Sequence, residues 1–230
     1  MIPNDVLLKS LFFDVESVGL YATFEELASK NPKLAELWSK RCKWLRQNSP
    51  AQLFEPTDAQ LWLEKSSLHP EFAKIVCVSI GAYNKADLNV TSLIGEEADI
   101  LNKTRIIFGN AASKNLKLAG HTIKNFDIPF IGKRMVINGI QPPELINFYN
   151  KKPWEMTTLD ITDTFSFGAY GQAHTSLDLM CTVLGVESPK GEMEGSQVHE
   201  AFYKGEIEDI KKYCEKDVRA VVECFHKLSF

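Results

Sequence analysis

Asp14 and Glu16 stand two residues apart in Leu11-Phe12-Phe13-Asp14-Val15-Glu16-Ser17-Val18-Gly19-Leu20, behind the apolar run of Leu7, Leu8, Leu11, Phe12 and Phe13. Such a run suits a buried central strand. Strand side chains alternate between faces, so both carboxylates point the same way, about 6–7 Å apart along the chain. Two ionised acids there repel each other and lose hydration unless a cation compensates them. Hard oxygen donors on an apolar strand suit Mg²⁺ or Mn²⁺. The spacing alone is common among 30 acidic residues. Glu97/Asp99, Glu192/Glu194 and Glu206/Glu208 share it, but in polar stretches that read as solvated faces.

Two more acidic stations lie downstream. In Gly120-His121-Thr122-Ile123-Lys124-Asn125-Phe126-Asp127, an aspartate follows a short strand and sits where a helix begins. By itself it reads as a helix cap, a role that leaves its second oxygen free to face a cleft. In Tyr213-Cys214-Glu215-Lys216-Asp217, Tyr213 and Asp217 are four apart and stack on one helical face. The apolar stripe of that helix is Ile207, Ile210, Cys214, Val218, Val221, Val222 and Phe225, which puts Tyr213 and Asp217 on its shoulder.

The elements that must hold these stations follow from punctuation and periodicity. Residues 21–70 read as a helical stretch: Thr23 with Glu26 fits a capping box, Asn31-Pro32 a cap with proline in the first turn, and Thr57-Asp58 a third start. Leu34, Leu37, Trp38, Cys42 and Leu45 give its middle helix a buried face. The cluster Lys40, Arg41, Lys43 and Arg46 reads as a solvated face. Residues 73–82 and 88–94 form a hairpin across a turn at 84–87. A helix is expected over 96–112, with apolar residues at 100, 101 and 106–108. A short strand follows at 116–121, a helix at 127–137, loop at 141–156 and a strand running into a helix at 158–165. Helices at 177–184 and 207–228 flank a polar loop at 187–196. This order predicts an α/β fold with a mixed sheet and helices packed on it.

At 230 residues the chain can bury one substantial core. A net charge of −4 argues against coating nucleic acid non-specifically, while leaving contact with phosphate through bound cations open. Five cysteines without a CxxC spacing fit a reducing compartment and exclude a zinc ribbon. With no basic leader and no long apolar run, the expectation is a cytoplasmic protein off the membrane.

Taken together, the three stations resemble the DEDDy 3′–5′ exonucleases, which have the ribonuclease-H-like fold. The chain is more closely similar to stand-alone predicted exonucleases related to the proofreading domain of family B DNA polymerases. The segments 69–81, 177–179 and 210–218 carry the similarity as well, so it spans nearly the whole chain. It implies a single 3′–5′ exonuclease domain over 1–230, with a helical insertion at about 21–70 after the first strand.

Carried over position by position, the resemblance implies that Asp14, Glu16, Asp127 and Asp217 hold two divalent metal ions (Mg²⁺ or Mn²⁺), with Tyr213 orienting the attacking water. Asp14 is expected to bridge the ions, Glu16 and Asp217 to hold the one bearing the water, and Asp127 to act mainly through water. Tyr213 is a poor base at neutral pH and a better hydrogen-bonding orienter. Val15, Ser17, His121, Asn125 and Phe126 are the candidate substrate contacts, with Phe126 a platform for a terminal base. Relatives often carry Asn five positions before the motif's Asp, where this chain has Thr122, and Thr where it has Ser17. The expected reaction is hydrolysis of terminal phosphodiester bonds at an unpaired 3′ end of DNA, with RNA as the alternative polymer, to 5′-mononucleotides. Any proofreading would have to act in trans; the candidate partners are a second copy of the chain or a polymerase, beside the single-stranded 3′ end. The rivals are an oligoribonuclease-like enzyme, a phosphatase for free nucleotides, and a non-catalytic ribonuclease-H-like module that binds nucleic acid or a polymerase.

Overall fold

A computed structural model describes residues 2–48, 55–152, 155–156, 158–169, 175–189, 191 and 193–229. Glu192 and part of the 187–196 segment lie outside them, as does 49–54 within the expected insertion. The strands are β1 (Ser10–Gly19), β2 (Ala73–Asn84), β3 (Asp87–Ile94), β4 (Lys117–Gly120) and β5 (Leu159–Asp160). They form one mixed sheet in the order β3-β2-β1-β4-β5. β2 runs antiparallel to β1, and β4 parallel to it. The acid-bearing strand is therefore central, as its apolar composition predicts.

β1 is buried on both faces, and alternation sorts its side chains. Leu11, Phe13 and Val15 pack with α5 (Glu97–Ser113) and α6 (Asp127–Ile137), Phe13 meeting Phe108 at 5.2 Å between ring centroids. Phe12 turns to the opposite face, against Val218, Val221 and Phe225 of α10 (Ile207–Lys227). Val18 joins Ile210 and Cys214 on that side. Phe12, Asp14, Glu16 and Val18 are two apart in succession, so the alternation directs both acids toward α10. The register between β1 and β2 slips at Glu16/Ser17, leaving Val76 without a partner. A bulge of this kind re-aims neighbouring side chains.

The chain between β1 and β2 forms α2 (Phe24–Lys30), α3 (Pro32–Gln47) and α4 (Asp58–Lys65), closed around Leu27, Trp38, Cys42, Leu61 and Trp62. The expected caps form: Thr23, Asn31 and Thr57 accept from the backbones of Glu26, Leu34 and Gln60. Glu26 reaches back to the Ala22 amide instead of Thr23, so the first box closes one residue early. In the basic cluster, Lys40 pairs with Glu36, Arg46 with Asp58, and Arg41 lies over Trp44.

Several expectations need correction. Leu7 and Leu8 belong to a short helix, α1 (Asn4–Leu8), not to the strand. Only Leu7 faces the core, and Leu8 is 49% exposed. Leu37 and Ile106 are also exposed, because a single helical stripe cannot hold every apolar position. Glu97 is not solvated. Its carboxylate accepts a side-on bidentate pair from Arg134 (Nε–Oε1 2.8 Å, Nη2–Oε2 2.6 Å) and a third bond from the Ile75 amide at 2.8 Å. This pair links α5, α6 and β2 beneath the sheet. A six-residue helix, α9 (Val198–Tyr203), precedes α10 where no element was expected.

Candidate metal centre

Three elements converge on one set of carboxylates. Asp14 and Glu16 come from the middle of β1, Asp127 from the first residue of α6, and Asp217 from the flank of α10. Glu16, Asp127 and Asp217 are buried and Asp14 is partly so. The Val15 amide lies against the Asp127 carboxylate and that of Asp14, tying the start of α6 to β1. Pro129 occupies the first turn of α6, where no amide is needed. On α10 the Tyr213 hydroxyl donates to Asp217 one turn on. Cys214, from the buried stripe, donates its thiol hydrogen to Asp14 Oδ2 across 3.3 Å.

The electrostatics register the crowding. Burial raises Glu16 well above the usual carboxylate range, and Asp14, Asp217 and Asp127 each raise it further. Burial pushes Asp14 up to about 6, against the lowering effect of the Cys214 and Val15 hydrogen bonds. Asp127 is raised by burial first and by Asp14 next. Tyr213 is likewise driven well above its ordinary value, by burial and then by Asp217, Glu16 and Asp14. The phenol thus stays protonated. All of these shifts are ones that a divalent cation among the carboxylates would reverse.

The loop that delivers Asp127 is built tightly. A Cβ on Gly120 would run into the Ile123 side chain and stand 2.9 Å from the Phe13 carbonyl oxygen, so glycine permits the close approach. Thr122 sits at φ 61°, where a β-branched residue is strained. Asp160 at the end of β5 holds the loop there: Oδ1 accepts from Thr122 (2.9 Å) and Thr162 (3.0 Å), and Oδ2 from Lys124 (3.1 Å). Thr122 Oγ1 also meets Thr162 Oγ1 at 3.0 Å.

The candidate substrate contacts are placed around this centre in different states. The Val15 side chain is in the core, leaving its amide at the carboxylates. Ser17 donates to the Ser67 carbonyl at 2.7 Å, and His121 Nε2 pairs with the Thr175 carbonyl at 2.9 Å. Asn125 is exposed. Phe126 is half-buried, with its ring 5.4 Å from that of Phe130. A cavity of about 270 Å³ borders Tyr213, with Met193, Lys212 and Lys216 among its walls. A larger one, about 560 Å³, opens near Lys133, Val136 and Ile137, toward the far end of α6 from Asp127.

Residues that sequence reasoning passed over support the site. Asp160 was legible only as part of a strand end, although Asp ahead of Thr-x-Thr is a capping signal. His199 of α9 accepts from the Gly19 amide through Nδ1 (3.1 Å) and donates from Nε2 to the Ala22 carbonyl (3.0 Å). Tyr203 donates to the Gly19 carbonyl at 2.7 Å, so α9 fastens the end of β1. No helix among the described residues is long and apolar enough to cross a membrane.

A central mixed sheet in the order β3-β2-β1-β4-β5, flanked by helices, is a ribonuclease-H-like fold. The chain matches the structure of the family B DNA polymerase from the hyperthermophilic archaeon Pyrobaculum calidifontis at a TM-score of 0.56 and 14% identity. The match covers 96% of this chain and 24% of the polymerase, so the chain spans about a quarter of that protein's length. No curated protein matches it. Residues 65–227 match the family described as a predicted 3′–5′ exonuclease related to the exonuclease domain of PolB, and the chain belongs to that family.

Proposed function

We propose that this chain is a DEDDy-type 3′–5′ exonuclease that hydrolyses terminal phosphodiester bonds of single-stranded DNA, releasing 5′-mononucleotides. The observation that carries the reading is the pair of carboxylates on β1, Asp14 and Glu16, with donor oxygens within 4.8 Å, toward which α6 and α10 bring Asp127 and Asp217 into electrostatic reach of Glu16. Four all-oxygen donors in a buried site fit two hard divalent cations, Mg²⁺ or Mn²⁺, in charge and in ligand type. Such ions would lower the pKa of the attacking water and compensate charge on the leaving 3′-oxygen. Asp14 and Glu16 would hold them from the rigid strand, Asp217 from α10 and Asp127 from α6. Tyr213, kept protonated and anchored to Asp217, would orient the water and not deprotonate it. Phe126 stands beside Asp127 and would stack a terminal base, with the exposed Asn125 amide next to it.

A strand labelled in its 3′-terminal nucleotide tests this. The reading predicts that Mg²⁺ or Mn²⁺ releases the label first and as a 5′-mononucleotide. Internal fragments released first, or 3′-mononucleotides, would overturn it.

A further inference from the structure

Cys214 is a thiol inside a carboxylate site. It is fully buried, and its Sγ lies 3.3 Å from Asp14 Oδ2 and 3.6 Å from the Asp14 carbonyl oxygen. One donor atom each from Asp14, Glu16 and Cys214 fall within 4.8 Å of one another, the sole such group among the described residues. A second thiol backs it: Cys77 faces Glu16 across the β1–β2 ladder and hydrogen-bonds with Cys214. Hard and soft ions would see different sites here. Mg²⁺ has little affinity for sulfur and would use the oxygens, whereas Zn²⁺ and Cd²⁺ favour thiolate strongly. In a tetrahedral site with Zn–S near 2.3 Å and Zn–O near 2.0 Å, donors stand about 3.5 Å apart. From separations within 4.8 Å, the three donors need to close by at most about 1.3 Å to reach that.

We propose that Cys214, with Asp14 and Glu16, forms a binding site for a thiophilic divalent cation, Zn²⁺ or Cd²⁺, that overlaps the hard-ion site and shuts the enzyme off. Binding exchanges the thiol hydrogen for the metal and releases that proton to solvent, together with any proton held on Asp14 or Glu16; no electrons move and no oxidant is needed. The shared ligands Asp14 and Glu16 make the two kinds of ion mutually exclusive. The inhibitory consequence rests on the exonuclease reading, whereas the binding itself rests on the donors alone.

The competing thiol pair is Cys181 and Cys224, whose sulfurs are 3.6 Å apart between α8 (Leu177–Leu184) and α10. The test is a Cd²⁺ titration of the full chain, followed by the ultraviolet thiolate-to-Cd²⁺ charge-transfer band. One band-forming ion per chain is expected, displaced by stoichiometric Zn²⁺ and by Mg²⁺ only in large excess. Cys214→Ser should weaken it about tenfold or more while Cys181 and Cys224 remain. Glu16→Gln, which keeps every thiol, should weaken it as well. A C181S/C224S variant should keep it. No band in the parent chain, or a band that survives C214S and vanishes in C181S/C224S, would overturn the proposal. Added Zn²⁺ should abolish Mg²⁺-supported nucleotide release, reversibly on chelation. A chain without any exonuclease activity would sink the functional reading and leave the Cd²⁺ result standing.

Discussion

Asp14 has to be ionised to hold a cation, yet without one its surroundings push it up to about 6 from 3.8. Between these values the folded, metal-free chain binds more protons than the unfolded chain, so its stability falls as pH rises through that window. Glu16 and Asp127, also raised, extend the loss upward. A bound divalent ion reverses the sign by favouring the charged forms. Melting with Mn²⁺ against EDTA should therefore show a larger metal-induced rise in Tm near neutral pH than at about pH 5. An equal rise at both would mean the carboxylates do not form the binding site. By the same reasoning Asp14→Asn should stabilise the metal-free chain by about 1 kcal/mol while abolishing activity. Asp217→Asn should lower nucleotide release on the order of a hundredfold or more, with the melt retained. Tyr213→Phe should cost less, roughly tenfold to a hundredfold, since it removes an orienting hydroxyl and no charge. A larger loss in Tyr213→Phe than in Asp217→Asn would contradict the roles assigned.

Elements carry the site because each is fixed from behind. Arg134 and Glu97 have side chains only 5% and 12% exposed, and they join α5 and α6 while also gripping β2. Arg134→Met should destabilise by about 3 kcal/mol or more, because it leaves the Glu97 charge buried without its partner. Chemical denaturation checks this, and a loss below about 1 kcal/mol would show the pair to be solvent-relaxed. At the Asp127 loop, Asn would tolerate the positive φ that Thr122 is held in by Asp160. Thr122→Asn should stabilise by about 0.5 kcal/mol, relief of backbone strain outweighing the lost contact with Thr162. A loss above about 1 kcal/mol would show that the hydroxyl pair governs. The long elements were legible where composition and period agreed: the stripe of α10 and the apolar β1 are examples. α9 was not, since six residues give no period, and neither was the role of Glu97, whose partner is 37 residues away. Leu7 and Leu8 misled because an apolar pair fits a helix turn as well as a strand.

Across the whole molecule, the sequence showed three acidic stations but not their meeting. Only the sheet order, which places β4 beside β1, brings Asp127 to Asp14, and pairing between strands about 100 residues apart leaves no local signal. What was readable in Asp14, Glu16, Tyr213 and Asp217 was chemistry at strand and helix spacing. Cys214, in contrast, looked like core, because its place in the apolar stripe says nothing about the acid it faces. The insertion α2–α4 was foreseen from its caps, while its closure around Trp38 and Trp62 onto the end of β1 was not. The central claim is that this assembled centre shortens a polynucleotide from its 3′ end with a divalent ion. The direct measurement is a 5′-labelled single-stranded DNA oligonucleotide and its RNA counterpart, each incubated with Mg²⁺, Mn²⁺ or EDTA, beside Asp14→Ala. A ladder shortening from the 3′ end with DNA and metal, absent with EDTA and in the variant, is the predicted result. Intact DNA in every lane despite tight binding would contradict it and leave a nucleic-acid-binding module in its place.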